Sequence, residues 1–428
     1  MFIIYDLIFL ILVVLYIPYQ TLRRKWHKGF WMRLGIIPAD VRNILKAKEN
    51  IWIHAVSVGE VLAIEDLMES LRQKYPSFQL VCSTVTKTGY YVAQERLKDK
   101  AVVIFAPLDF SWLIRKFILL INPKIYICAE TEIWPNLYSF LHRKQVPIIQ
   151  INGRISDRAF EGYKKIKFIV RNILNCVDIF CMQTELDARR IQELGIEAQK
   201  IKVIGNLKFD NLPSDAAFRR EDLGFSKEDC LWIAGSTHPG EEEIILEIYQ
   251  KLIKEFSSLR LILAPRHIER AQEIIQLVEQ KGLRASRLSV GVPLPDKNIL
   301  IVDTIGQLRS LYGIADIVFV GKSLCGGGGQ NMIEPAFFGK PILVGPLTYN
   351  FKDIVRIFLK EKALKEVRDP QELEQAVKEF INNPAQGKVM GERARQLVEK
   401  YQGATTKTIR IINELITVGA PPRGRPYK

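Results

Sequence analysis

Residues 321–346 read GKSLCGGGGQNMIEPAFFGKPILVGP. The β-branched run Asp316 to Val320 enters this stretch as a buried strand end. Four consecutive glycines, Gly326 to Gly329, then leave backbone N–H groups approachable. Gln330 and Asn331 open a helical run that contains Glu334 and ends near Gly339, before a short strand at Pro341 to Val344. A flexible turn feeding a helix N-terminus is a physical anion site, because unpaired N–H groups and the helix dipole converge there. A carboxylate three residues into the helix is placed to hold the hydroxyls of a ribose attached to that anion. The pattern is neither GxGxxG nor a P-loop, since no Lys-Ser/Thr pair follows the glycines. By itself the glycine run is equally compatible with a tight connection that binds nothing.

Working outward, short β-rich runs alternate with helical stretches. Before residue 211 the runs are Ile51–Val56, Leu80–Thr84, Ala101–Phe105, Ile125–Ala129, Pro147–Ile151, Asp178–Met182 and Ile201–Ile204. After residue 229 they are Leu231–Ala234, Leu259–Ala264, Asn298–Val302, Asp316–Val320 and Ile342–Val344. Amphipathic segments such as Glu60–Lys74 and Arg158–Asn175 fill the gaps. The alternation predicts parallel sheets covered on both faces, in two doubly wound Rossmann-like halves facing a cleft, with ligands at the C-terminal strand ends. The sequence divides into 1–22, 23–210, a polar linker at 211–229, a second half at 230–418 and a disordered tail at 419–428.

A chain of 428 residues is long enough for two such cores. Six cysteines lie mostly inside apolar runs without a CxxC pair, which excludes a disulfide framework and a zinc site. Five scattered histidines offer no metal-ligand spacing. Phe2 to Pro18 is apolar apart from Asp6 and, as a helix, spans roughly 26 Å. Arg23, Arg24, Lys25 and Lys28 follow it, with Trp26, Phe30 and Trp31 among them. That order predicts an uncleaved N-terminal membrane anchor, spanning or half-embedded, whose C-terminal side faces the cytoplasm. The net charge is +14, and between Thr21 and Asn50 eight Lys/Arg stand against two acids. An anionic membrane surface is the partner this patch fits; without a nucleic-acid module, nucleic acid is not expected.

Polar clusters recur just after the strands: His54, Ser57 and Glu60 in IHAVSVGE, Thr84 to Gly89, Asp109, Glu130 and Glu132 in ETEIWPN, Asn152 and Arg154, and Lys208 and Asp210 in GNLKFD. Several clusters on one rim, carboxylates included, point to an active site. A carboxylate past a strand serves as a general base or as a helix cap, and for Glu60 both stay open. In the second half, AGSTHPGEE (234–242) follows a strand with hydroxyl-bearing residues, and Arg266 ends another strand, where a guanidinium forks onto phosphate. Gly306, Gln307 and Leu308 begin a helix whose N–H groups face the same rim. No Ser-His-Asp order or HExxH occurs, so the chemistry is expected to need no metal and no cofactor.

Together IHAVSVGE, the TxTxTG of Thr84–Gly89, ETEIWPNL, GNLKFD, STHPGEE, PRH and GGGGQNMIEP resemble the 3-deoxy-D-manno-octulosonic acid (Kdo) transferases of lipopolysaccharide biosynthesis. The resemblance runs from the N-terminus to about Tyr401. It implies a GT-B glycosyltransferase fold, an acceptor-binding N-terminal domain and a C-terminal domain that binds CMP-Kdo. It implies Glu60 as general base, Glu130 and Lys208 as transition-state stabilisers, and CMP contacts from Pro265, Arg266, Gly306, Gln307, Leu308, Asn331, Met332, Ile333 and Glu334. The implied reaction is inverting transfer of Kdo from CMP-Kdo to a lipid A precursor (lipid IVA) at the cytoplasmic face of the inner membrane. Gln307 stands where an acid is usual, Gln330 where His is usual, Lys322 where Gly is usual and Lys87 where Pro is frequent. Other nucleotide-sugar or Rossmann enzymes, and an inactive membrane-tethered glycolipid binder, are the alternatives. The absence of GxGxxG and the retention of Glu60 and Lys208 count against them.

Overall fold

The computed structural model describes residues 5–7, 9–11, 13–15, 29–210, 212, 218–291 and 298–417. The chain forms two compact units: Met1–Asn211 with Gln402–Lys428, and Leu212–Tyr401.

The first unit is built on a seven-stranded sheet in the order β3-β2-β1-β4-β5-β6-β7. Its strands are β1 (Asn50–His54), β2 (Gln79–Thr84), β3 (Val102–Phe105), β4 (Pro123–Ala129), β5 (Ile148–Gly153), β6 (Ile179–Met182) and β7 (Ile201–Val203). All pairings are parallel. The residues explain the layering. Ile51, Ile53, Ile125 and Ile127 point to one buried face, while Trp52, Tyr126 and Cys128 point to the other. A strand buried on both faces needs apolar side chains at odd and even positions alike, which is why these runs show no alternation. The segments read as continuous helices are each broken once, at Ile64 and at Ile166.

The second unit repeats the plan in the order β10-β11-β9-β8-β12-β13-β14. Its strands are β8 (Cys230–Thr237), β9 (Leu259–Pro265), β10 (Ala285–Arg287), β11 (Ile299–Ile301), β12 (Ile317–Val320), β13 (Ile342–Val344) and β14 (Lys365–Glu366). The two shortest outer strands, β10 and β14, are absent from the sequence reading: ASR and KE carry no apolar signal, and main-chain pairing to β11 and β13 alone defines them. In each sheet the strand order reverses once, between β1 and β4 and between β8 and β12. These two switch points are where open parallel sheets form ligand crevices beyond their C-terminal strand ends.

Two boundaries differ from the sequence division. The stretch 211–229 lies partly outside the described residues, but its end belongs to the second unit: Arg220 pairs with Asp316 at 2.8 Å and Asp229 with Arg260 at 3.0 Å. The last described helix, Ala404–Thr417, packs Ile412 and Leu415 into the first unit's core, and Tyr75 Oη donates to Asn413 at 2.8 Å. Amphipathicity marks this helix as packed but does not say against which core. The tail 419–428 lies outside the described residues.

The segment Phe2–Pro18 is described only in part. Its described residues are helical, and among all described residues no helix is long and apolar enough to cross a membrane. The Asp6 carboxylate accepts from Ser111 N–H at 3.1 Å and from Asn136 Nδ2 at 2.7 Å, so the one acid in the apolar run meets the starts of helices Ser111–Ile121 and Pro135–Arg143. Phe9 and Val13 pack against Leu108, Phe110 and Leu113, while Leu7, Leu10, Ile11, Val14 and Leu15 stay exposed.

Asp210 ties the last helix to the first unit, its carboxylate accepting the Gly403 and Thr405 N–H groups. Asp210→Ala strips two acceptors from the start of that helix. The expected loss is about 0.5–2 kcal/mol of stability in denaturant unfolding, with earlier proteolysis after Tyr401. Unchanged unfolding would show that Ile412 and Leu415 suffice to hold it.

Candidate functional site

At the first switch point, Glu60 follows β1 and Glu130 follows β4. Ser57 begins the short helix Val58–Ala63, and this turn carries Glu60 inward until only 7% of it is exposed. Its Oε2 accepts Val56 N–H at 2.7 Å and its Oε1 accepts Ser57 Oγ at 2.8 Å. Glu60 therefore does stabilise the turn, as the capping alternative requires, and it is also electrostatically poised. Burial first, then the Glu130 charge, outweigh those two hydrogen bonds and lift its pKa to about 7. A carboxyl titrating there exchanges a proton near neutral pH. Burial and the Glu130 charge also raise Glu132.

Glu130 sits at φ +58, a left-handed conformation for a non-glycine residue, with its N–H held by Ile151 O at 2.9 Å. Lys208 lies on the 3-10 turn Leu207–Phe209, which packs against the Glu60 helix. Side-chain amides place this turn. Asn152 Oδ1 accepts Leu207 N–H at 3.1 Å, Asn206 Oδ1 accepts Lys208 N–H at 3.0 Å, and Asn206 Nδ2 donates to Gln183 Oε1 at 3.0 Å. The first unit thus gathers Glu60, Glu130, Glu132 and the Lys208 turn. Two other carboxylates of the polar clusters have structural duties. Asp109 accepts the Asn136 and Leu137 N–H groups at the start of a helix, and Asp210 holds the C-terminal helix.

In the second unit Pro265 ends β9 and Arg266 follows it exposed. Glu334, in the one-turn helix Ile333–Phe337, accepts Asn331 Nδ2 at 3.1 Å and Arg309 Nε at 3.0 Å on the same oxygen, Oε1. Burial raises the Glu334 pKa, while Arg309, Asn331 and, more weakly, Arg266 oppose the rise. Arg266, Arg309, Asn331 and Glu334 therefore form one cluster. Gly306 and Gln307 lead into the helix Leu308–Leu311, which carries Arg309. Met332 and Ile333 are fully buried, so only their backbone is available to a ligand. Arg309 is the residue that reading the sequence missed; its signal was a lone cation one turn beyond Gly306.

The glycine run is less open than its sequence suggests. All four glycines take positive φ, between +72 and +117, which accounts for their being glycine. Yet Gly328 N–H donates to Leu347 O and Gly329 N–H to Lys322 O, both at 2.7 Å, so two of the four groups are already used. Among the described residues no group of three or more His, Cys, Asp or Glu is placed to hold a metal ion.

The sequence family described as 3-deoxy-D-manno-octulosonic-acid transferase (kdotransferase) matches residues 28–211, and the one described as glycosyl transferases group 1 matches residues 293–397. A 3-deoxy-D-manno-octulosonic acid transferase of Haemophilus influenzae is 33% identical, over 85% of this chain and 86% of the relative. One of Rickettsia felis is 30% identical over 93% and 85%. Among solved structures, MurG of Acinetobacter baumannii superposes with a TM-score of 0.56 at 12% identity, covering 86% of this chain and 99% of that one. UDP-GlcNAc 2-epimerase of Neisseria meningitidis gives 0.56 at 12% identity, over 85% and 100%. At such identities the structural matches establish the architecture alone: two Rossmann-like domains of the GT-B fold.

Since the Glu130 charge adds to burial in raising Glu60, Glu130→Gln should lower the midpoint of the Glu60 carboxyl titration, followed by carbon-detected NMR. An unmoved midpoint would leave burial as the whole cause. Glu60 binds its proton more tightly in the fold than in the unfolded chain, so folded stability falls as pH rises from about 4.5 to about 7. Glu60→Gln should flatten that part of the stability profile.

Proposed function

Because the chain belongs to the 3-deoxy-D-manno-octulosonic acid (Kdo) transferase family and is a glycosyltransferase, we propose that it moves Kdo from CMP-Kdo to a hydroxyl of a lipid A precursor, lipid IVA, with Glu60 as the general base. The observation that carries this reading is a buried carboxylate at the first switch point with its pKa near 7. A sugar hydroxyl is a weak nucleophile at neutral pH. As its oxygen attacks the anomeric carbon of Kdo, Glu60 takes the proton, and the bond from that carbon to the phosphate oxygen breaks. CMP leaves, and the configuration inverts.

Cationic character at the anomeric carbon favours a nearby carboxylate, the role given to Glu130. Negative charge gathers on the departing phosphate, and Lys208 offsets it. On the donor side, Arg266 and the Gly306–Leu308 turn serve the phosphate, and Asn331 and Glu334 serve the ribose hydroxyls. With its Oε1 held by Arg309 and Asn331, Glu334 has Oε2 for that contact. Side chains supply all the charge compensation in this reading, so it invokes neither metal nor cofactor.

The N-terminal segment is assigned to the cytoplasmic face of the inner membrane, lying half-embedded. Asp6 is bonded to the first unit while Leu7, Leu10, Ile11, Val14 and Leu15 form an exposed apolar face, which suits an interfacial helix.

Glu60→Gln keeps the shape of the side chain but cannot accept the proton. Turnover should fall by about 10²–10⁴ with CMP affinity unchanged. A variant of lowered melting temperature and full turnover would reduce Glu60 to its turn-holding role. The assay is CMP release, expected only when both CMP-Kdo and the acceptor are present, with mass spectrometry of the glycolipid as the second readout. Deleting Met1–Gln20 should move the enzyme to the soluble fraction while activity on a short, soluble acceptor survives. Sedimentation of the truncated enzyme with membranes at high salt would sink the assignment of the anchor.

A further inference from the structure

The scheme above leaves part of the second sheet's rim unused. His238 follows β8 and Lys322 follows β12, the two strands that flank the switch point, and His267 follows β9 alongside. The rings of His238 and His267 meet edge to face with centroids 5.7 Å apart. His238 Nδ1 lies 3.3 Å from Ser236 O. A carbonyl only accepts, so Nδ1 carries the hydrogen and the Nε2 lone pair is the free acceptor. Burial first, and the Lys322 charge further down, keep His238 below the ordinary imidazole value, although the Ser236 carbonyl and Glu241 pull the other way. His267 is itself engaged, its Nδ1 3.4 Å from Glu269.

Lys322 is the unusual member. Its φ is +56, a conformation that glycine takes freely and lysine does not. The backbone is clamped there from both sides: its N–H donates to Glu241 Oε2 and its carbonyl accepts Gly329 N–H, each at 2.7 Å. Lys322 is half-buried, and its ammonium makes no ion pair or hydrogen bond among the described residues. The nearby Glu241 carboxylate spends both oxygens on backbone N–H groups and makes no ion pair with it. A lysine kept in a glycine conformation at a switch point, with an unpaired charge, calls for an anionic ligand.

We propose that Lys322 and His238 form a subsite for an acidic sugar, in which the Lys322 ammonium pairs with the carboxylate on the donor's anomeric carbon and His238 Nε2 accepts from a neighbouring sugar hydroxyl. The inference rests on the reading that the donor is CMP-Kdo. Such a donor carries two anions on one carbon, the phosphodiester oxygen and the carboxylate, and a separate cation for each binds it more tightly. Arg266 serves the first and Lys322 the second. His267 acts through His238, holding its ring.

The test compares two probes on the purified full chain: CMP, which lacks the carboxylate, and CMP-Kdo. Lys322→Gln and Lys322→Gly remove the charge, and Lys322→Gly suits the backbone conformation, so a folded variant is secured. Each should raise the KM for CMP-Kdo by about tenfold or more, the size of one charge-assisted hydrogen bond, while the affinity for CMP stays within about twofold. Lys322→Arg should recover most of the loss, and His238→Phe should raise the same KM without touching CMP. A CMP affinity that falls in step would make Lys322 a phosphate contact and overturn the proposal, as would an unchanged KM. Failure of the underlying reading looks different: the wild-type chain would then release no CMP from CMP-Kdo in the presence of the acceptor.

Discussion

The second unit is organised around one enclosed carboxylate. Glu241 is fully buried, and its two oxygens accept the N–H groups of His238, Lys322, Ser323, Leu324 and Cys325. Four successive residues leaving β12 therefore turn their donors onto a side chain that begins the helix Glu241–Glu255 after β8. Each such donor, if buried without a partner, costs on the order of 1–3 kcal/mol. A loop with four of them could not keep this path unaided. Through Lys322 the constraint passes on, because its carbonyl receives Gly329 N–H and so fixes the exit of the glycine run. The conformation of the loop after β12 is thus set across the switch point, from the strand on its other side.

The first unit answers the same topological problem differently. Its switch point holds carboxylates that repel one another, Glu60, Glu130 and Glu132, where the second holds cations and backbone donors. Glu60 keeps a raised pKa because two hydrogen bonds are too few to offset its burial. Glu241 has five N–H donors around one carboxylate. Two glutamates, each near the start of a helix that follows a central strand, thus differ in the number of donors aimed at them.

The strands were legible in the sequence because parallel strands buried on both faces must be apolar throughout, and VVIF, IYICA and IVFV admit little else. Strands defined only by pairing, ASR and KE, were not legible. Glu60, Glu130 and Lys208 stood out in the sequence because each lies in a polar cluster that follows a strand. Arg309 did not, since an arginine in a short helix looks like any surface cation until Glu334 is seen beside it. The availability of the glycine N–H groups was misjudged for a similar reason: their partners, Leu347 O and Lys322 O, are set by loop geometry that no local pattern encodes.

The return of residues 404–417 to the first unit also sets an order of events during synthesis. The first unit is discontinuous, and Ile412 and Leu415 belong to its core. On the ribosome, Leu212–Tyr401 has all of its residues before the unit that precedes it does. At about 5–20 residues per second, the second unit alone takes roughly 10–40 s to emerge. For that interval the nascent first unit carries an unfilled strip on its surface, beside Tyr75 and the helix Glu65–Lys74. The usual N-to-C order of domain completion is reversed here, and a chain that stalls before residue 417 leaves its first unit, not its second, unfinished.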